Sequence, residues 1–568
     1  MSMPAIMDKK NIRLVLGQVT KEIEFISDAK VRRIQTTLLN LVESLANDIE
    51  QAQNSIQQLK DENNRLKGEQ GKPNIRKQKN DDTDNSNHSS ENERKTAKKS
   101  KKKKPKKKDA IKIDRKLVCK IDKDNLPDDI QFKGYETKVI QDIEIKTDNI
   151  KFLREVYYSP SLKKTFIADY PDGYDGDFGP GIKSIILSVY HDSKMTQPAI
   201  KRFFDTWNIQ ISKATISRIL TDNHDTFHQE KKAIIIAGVL STPYQHFDDT
   251  SARVNGKNYY THVLCNPFYT AFFTMPHKDR ITVLEVLYPE GLKFTFNQDS
   301  FSLMTELGLP NKHLSAIRDI TAPTIMTKAE VNVLLDKLFP SSRKNKQKKN
   351  RKIILEATAI IFYQTSKYAI NFLLCDDAPQ FNKITKYKVL CWVHEGRHYK
   401  KLTPIVPEHQ KALDEFIALF WDFYRKLLDY KKEISSTKKE KLSESLSKEF
   451  DELFSTITGY DELDDRIHKT FSKKDMLMLV LKFSFLPLHN NPAELGARYQ
   501  ARHRDINLQT RNQKGTSAKD TFATIVQTAR KLKVNFFDYM KDRITKVFKM
   551  DSLASLIEKN SKFEFDST

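Results

Sequence analysis

The chain has 568 residues, 38% apolar and 10% aromatic, enough for a large core, which excludes a chain disordered throughout. A formal net charge of +23 and a pI near 9.4 favour a polyanionic partner, and DNA, RNA or an anionic membrane surface would each serve. Four cysteines (Cys119, Cys265, Cys375, Cys391) without a C-x-x-C pair argue against a disulfide framework or a four-cysteine zinc site, and no apolar run reaches the roughly 18 residues of a membrane span, so a cytoplasmic protein is expected.

Residues 1–68 read as an N-terminal helix without proline from residue 8 onward. From Leu38 the apolar spacing alternates four and three, which puts Leu45, Ile49, Ile56, Leu59 and Leu66 on one heptad seam. Asn63 falls on an a position, where a buried Asn fixes register in two-stranded coils. A homodimeric coiled coil is predicted; a helix packed on its own domain is the alternative. Residues 69–112 form a polar, lysine-rich linker expected to be disordered. Its run Lys101, Lys102, Lys103, Lys104 could hold phosphates non-specifically or simply keep the linker soluble.

Residues 113–180 are expected to be a small β-rich region, with strands over Val139 to Ile145 and Asn149 to Tyr158, closed by the Gly179-Pro180-Gly181 boundary. Residues 181–232 are helical. Ile200, Phe203, Phe204 and Trp207 share a face, Asn208 permits a turn, and Ser212 caps a second helix. That spacing suits a helix-turn-helix with Lys213, Thr215, Ser217 and Arg218 facing DNA, and suits a plain helical hairpin equally.

Residues 233–402 switch to strand periodicity over Tyr244 to Phe247, Asn258 to Leu264 and Tyr269 to Met275, with Asn255-Gly256 as a two-residue hairpin turn. Asp248 and Asp249 are expected to close the first strand. An insertion at 280–350 ends in a basic loop, Arg343 to Lys352, followed by a helix to Thr365. A strand from Ala369 to Cys375 then ends in Asp376-Asp377. Residues 403–486 form a helical insertion. Residues 487–548 complete the core, with Glu494 in the first turn of a helix opened by Pro492, and 549–568 is a tail.

Two Asp at strand ends and a Glu on a helix can hold two divalent cations through hard oxygen ligands. On spacing alone, Asp248, Asp376 and Glu494 could equally be solvated or capping carboxylates. The local motifs add to this: Asp248-Asp-Thr250 with Arg253 to Lys257, then Leu374-Cys-Asp-Asp377, Cys391-Trp392-Val-His394 with Arg397, and Asn490-Asn491-Pro-Ala-Glu494. In this order, over most of residues 135–545, they resemble the insertion sequence 66 family of bacterial transposases. The resemblance implies an α/β, ribonuclease-H-like catalytic core and a DNA transposase. Asp248, Asp376 and Glu494 would ligate two Mg²⁺ or Mn²⁺ ions for strand cleavage and strand transfer. It further implies element ends and target DNA as partners, element-encoded accessory proteins, and association with the nucleoid. Arg498, one turn after Glu494, would contact phosphate or pair with Glu494 itself. Cys391, Trp392, His394, Arg397, Asn490 and Asn491 would shape the site wall. Strand alternation lets only one Asp of each adjacent pair face the metals, and the resemblance selects Asp248 and Asp376. The family's paired cysteines are missing from Tyr157 to Lys164, so no zinc is expected. Asp249, Asp377, Leu495 and His489 also depart from the pattern, which keeps open a domesticated, non-catalytic DNA-binding protein. A chromatin or RNA scaffold resting on the lysine run and the coiled coil is a third reading.

Overall fold

The computed structural model describes residues 15–19, 28–66, 113–121, 133–143, 145–320, 323–340 and 345–561. The linker 69–112, with Lys101, Lys102, Lys103 and Lys104, lies outside them. The described residues fall into two compact units: one drawn from 81–170 and 204–210, the other from 1–80, 171–203 and 211–568.

In the smaller unit, β1 (Val156–Ser159) pairs antiparallel with β2 (Lys164–Ile167). The Arg154 guanidinium lies 4.3 Å from the Tyr170 ring centre. The strand expected over Val139 to Ile145 does not form among the described residues there, and the second expected strand is reduced to its last residues. The side chains of β1 and β2 are almost all exposed. Alternation there has no buried face to select it, so pattern alone overstates strand content.

The larger unit is mixed α/β around a five-stranded sheet. β3 (Tyr244–Val254), β4 (Lys257–Cys265) and β5 (Thr270–Met275) form an antiparallel meander. Between β3 and β4, Asn255 (φ 48°) and Gly256 (φ 76°) both take the left-handed region that a two-residue hairpin requires. Away from the sheet, β6 (Phe294–Phe296) and β7 (Thr324–Met326) make a small antiparallel pair inside the 280–350 insertion. The insertion is otherwise helical, and the helix Asn345–Gln364 runs back through the basic stretch expected to be a loop. β8 (Phe372–Cys375) and β9 (Tyr387–Leu390) then add parallel strands, giving the order β5-β4-β3-β8-β9. Only β4 runs against the other four.

Asp248 does not close its strand as expected. β3 continues to Val254, because β4 pairs with it as far as Val254↔Lys257 and Thr510 bridges its far end. The parallel ladder to β8 covers only Tyr244↔Phe372 to His246↔Leu374. Beyond it, the β8 side of β3 stands open at Asp248.

One sheet face is covered by the helices Asn491–Asn507 and Gln513–Lys531, whose Ala493, Ala497, Tyr499 and Ala523 pack on Val263, Cys265 and Phe272. The helical insertion (Pro407–Lys432, Ser436–Phe454, Asp461–Phe471) builds a second core around Trp392, with Phe420, Phe423, Phe450 and Phe454 in ring contact. The N-terminal helix Ala29–Leu66 docks on this insertion through polar residues. Glu43 accepts from the Ile405 and Val406 amides (2.6 and 3.1 Å) and lies 3.2 Å from His409 Nδ1, while Asn40 and Asn47 bond Gly459 and Glu462. The heptad side is left outward: Leu45, Ile49, Ile56 and Leu59 are 51–70% exposed, and Asn63 is exposed.

Gly496 sets how closely the Glu494 helix approaches the sheet. A Cβ there would stand 2.6 Å from Val263 Cγ1, and Val263 is a fully buried, β-branched side chain that cannot swing aside. Gly496→Ala is expected to destabilise by about 1–3 kcal/mol through overpacking. This is measurable as a lower urea midpoint, despite the better helix propensity of Ala. A midpoint equal to or above that of the unaltered chain would contradict this account of the contact.

Candidate active site

The last pair of the parallel ladder is His246↔Leu374; two residues further along come Asp248, still in β3, and Asp376, just past the end of β8. His246 and Asp248 share a face by strand alternation. That face is the one the Glu494 helix covers, since Val263, opposite Asp248, meets Gly496.

Glu494 is brought to the same place by Asn490. The Asn490 amide donates to Cys391 Sγ (3.1 Å), Nδ2 donates to Phe247 O (2.7 Å), and Oδ1 lies 3.0 Å from His246 Nδ1. With Nδ2 committed as donor, Oδ1 accepts, which fixes the Nδ1–H tautomer of His246. Burial lowers the His246 pKa to about 3, so the ring is neutral. Arg397 Nη2 holds Glu494 Oε2 at 2.7 Å. The other oxygen, Oε1, is buried without a hydrogen-bond partner, 3.7 Å from His394 Nδ1, which is likewise unpartnered.

Glu494 and Asp376 both bear electrically on Asp248. Burial, then the charges of Glu494, Asp249 and Asp376, raise the Asp248 pKa to about 7 against one hydrogen bond from the Asp249 amide. Asp376 accepts from the Ala378 amide (3.0 Å). The rival acids are engaged elsewhere. Asp249 faces Lys278 at 3.5 Å, and Asp377 is clamped by Lys388 (2.9 Å) and Lys473 (2.8 Å). Burial works to raise the Asp377 pKa, but the two lysines win and lower it.

Of the wall residues, Trp392 is fully buried with Nε1 donating to Leu477 O (3.0 Å). Asn491 is buried with an unpartnered Nδ2. Donor atoms of Cys391, His394 and Glu494 lie within 4.8 Å of one another, closer to a ligand set than a plain wall. Burial, however, pushes the Cys391 thiol to about 11, and its sulfur already accepts the Asn490 amide. A soft metal would need the thiolate. Arg498 is exposed on the helix, and Glu494 takes its ion pair from Arg397 instead.

Away from the acids, Lys213 and Arg218 are exposed while Thr215 and Ser217 are half-buried on the helix Lys213–Thr221. Thr215 Oγ1 receives Arg218 Nη2 (3.1 Å) and meets the capping Ser212 hydroxyl (2.9 Å). Sequence reasoning missed His246, the Lys388 and Lys473 clamp, and Glu395, which is buried in an ion pair with Arg466 and lies 3.3 Å from Lys473. Lys473 and Arg466 lie far from these acids in the chain and gave no local signal.

Residues 357–545 match the model of the Transposase IS66 family. That stretch holds Asp376, Arg397, Asn490 and Glu494, and the match points to a DNA-processing enzyme of the transposase kind. Asp248 precedes it and joins the IS66-like part through the β3–β8 register. The chain is also 27% identical over 311 residues to "Uncharacterized protein y4jO" of Sinorhizobium fredii (strain NBRC 101917 / NGR234), covering 54% of this chain and 94% of that protein. No solved structure matches. No helix among the described residues is long and apolar enough to cross a membrane.

Asp248 has a raised pKa in the folded chain, so its contribution to stability is fully present below about pH 4 and is lost as pH rises through about 7. With chelator present, Asp248→Asn is therefore expected to stabilise the fold at pH 8.5 by an amount on the order of a few kcal/mol. The gain should fade to nothing near pH 4. Denaturation midpoints across pH read this directly, and equal midpoints at pH 8.5 would refute it.

Proposed function

We propose that this protein is a DNA transposase that cuts and joins DNA through Asp248, Asp376 and Glu494 on a ribonuclease-H-like core. The observation that supports the reading is the β3–β8 register, whose last pair, His246↔Leu374, lies two residues before Asp248 and Asp376, with the helix that bears Glu494 on the Asp248 face. The strand order, with one antiparallel strand among four parallel ones, supports the core assignment. The family match supports the reaction class.

The acids suit two divalent cations. A buried, unpartnered Glu494 oxygen and an Asp248 carboxylate disfavoured by burial and then by its neighbours' charges are what a cation would relieve. Mg²⁺ or Mn²⁺ on these oxygens would supply charge for activating an attacking hydroxyl and stabilising a leaving oxygen in phosphoryl transfer. The chain's own groups do the positioning. Arg397 and Asn490 aim Glu494, and neutral His246 holds Asn490 without adding charge. Lys388 and Lys473 turn Asp377 aside, and exposed Arg498 lies within a helical turn of Glu494 for a phosphate. Lys213, Thr215, Ser217 and Arg218 would read DNA as a helix-turn-helix, with the Lys101–Lys104 run adding non-specific hold. The outward heptad seam supports a homodimer.

With Mg²⁺ and labelled DNA carrying the flanking element ends, the purified chain should cleave and join. Asp376→Ala should lower both by at least about a hundredfold. Binding without cleavage by either would favour a domesticated DNA-binding protein. For assembly, Leu45→Asp with Ile49→Asp should convert a dimer to a monomer by light scattering, with the circular dichroism of the catalytic body retained. A mass unchanged by both substitutions would rule out the heptad seam as the dimer contact.

A further inference from the structure

A second polar pocket lies at the far end of β3, lined by Arg253, Arg504 and Lys519 with the hydroxyls of Ser251, Thr510 and Thr516. Its lining contains three cations and no carboxylate. Two acids adjoin lining residues in the chain: Asp505 is exposed, and both oxygens of Asp520 accept from Thr274 (2.6 and 2.8 Å). Gln500 also lines the pocket. It is only 3% exposed, and both amide atoms are buried without a partner. A buried, unsatisfied amide is costly unless something completes it.

The pocket is built rather than incidental. Asn255 N donates to Thr510 O (2.8 Å), Gly256 N donates to Gln509 Oε1 (2.7 Å), and Arg504 reaches Ser251 Oγ (2.8 Å). These bonds fasten the segment after the Glu494 helix to the β3–β4 hairpin. Burial lowers the Lys519 pKa, with the Asp520 charge working against it and the smaller Arg504 charge adding to it.

We infer that this pocket is a second anchoring site for a DNA backbone phosphate, distinct from the acid site and in line with it. The strand Asp248 to Arg253 spans about 17 Å at ~3.3 Å per residue. The helix Glu494 to Arg504 spans about 15 Å at ~1.5 Å per residue in the same direction. A duplex with its axis along β3 would place the anchored phosphate roughly five base pairs from the bond at the acids, at ~3.4 Å of axis per base pair. The inference rests on the transposase reading for its ligand, and on the pocket alone for its chemistry.

The test uses the full chain in chelator, so that catalysis plays no part. Its probe is a fluorescent 20-base-pair mixed-sequence duplex, with affinity read by anisotropy across salt concentrations. Arg253→Gln with Lys519→Met should weaken binding at least tenfold at 100 mM salt and reduce the salt slope by about 2. The distant exposed pair Lys541→Gln with Lys549→Gln should change affinity by less than about threefold. Gln500→Leu should weaken binding several-fold without lowering the unfolding midpoint, whereas a purely structural Gln500 would leave binding unchanged. Unaltered affinity and slope in the folded double variant, or in Gln500→Leu, would overturn the inference, as would tighter binding of a matched RNA duplex. Failure of the triad reading shows separately, as strand transfer that survives Asp248→Ala.

Discussion

The site depends on one buried asparagine. Asn490 uses its backbone amide on Cys391 at the start of the Trp392 helix, and its carboxamide nitrogen and oxygen on the Phe247 carbonyl and the His246 ring of β3. The helix that follows carries Glu494, and the segments it grips carry Asp248 and Arg397. Burial raises the Asp248 pKa most, and the charges of Glu494, Asp249 and Asp376 add to it, so this clamp holds together elements whose carboxylates repel. A neutral partner suits the role. Burial keeps His246 uncharged, so the clamp adds no field of its own to a cluster governed by charge.

Around this point the chain sorts its acids with cations rather than by distance. Asp248 and Asp249 are adjacent, as are Asp376 and Asp377, yet only one of each pair is left for the cluster. Alternation along β3 sends Asp249 toward Lys278. Asp377 is taken by two lysines, one from β9 and one from the helical insertion. The insertion thus does more than decorate the core, since Lys473 and the Arg466–Glu395 pair bear on the loop that follows β8 and the helix that carries Arg397.

The parts legible in the sequence were those fixed by local chemistry. Asn255-Gly256 announced its hairpin because few residue pairs accept two positive φ angles. Ser212 and Pro492 marked helix starts through capping and a fixed φ. The opposed position of Asp248 and Asp376 could not be read, because a parallel register depends on packing between segments more than a hundred residues apart. The length of β3 was missed because Ser251 and Arg253 look like loop residues, and only their pairing with β4 holds them extended. Val139 to Ile145 erred the other way, alternating without a core to face. The docking side of the N-terminal helix was hidden for a simpler reason: Asn40, Glu43 and Asn47 are polar and give no apolar signal.

That polar docking has a geometric consequence. Glu43 satisfies two backbone amides and His409 from within a buried setting, so the helix cannot roll about its axis without stranding a carboxylate and two N–H groups. Its leucine and isoleucine edge is therefore held at one angle to the body that carries the acids. A rod keyed in this way passes rotation faithfully from one end to the other. Whatever grips the apolar edge inherits an orientation relative to the five-stranded sheet, and two chains gripping each other there would hold their acid clusters in a fixed mutual phase.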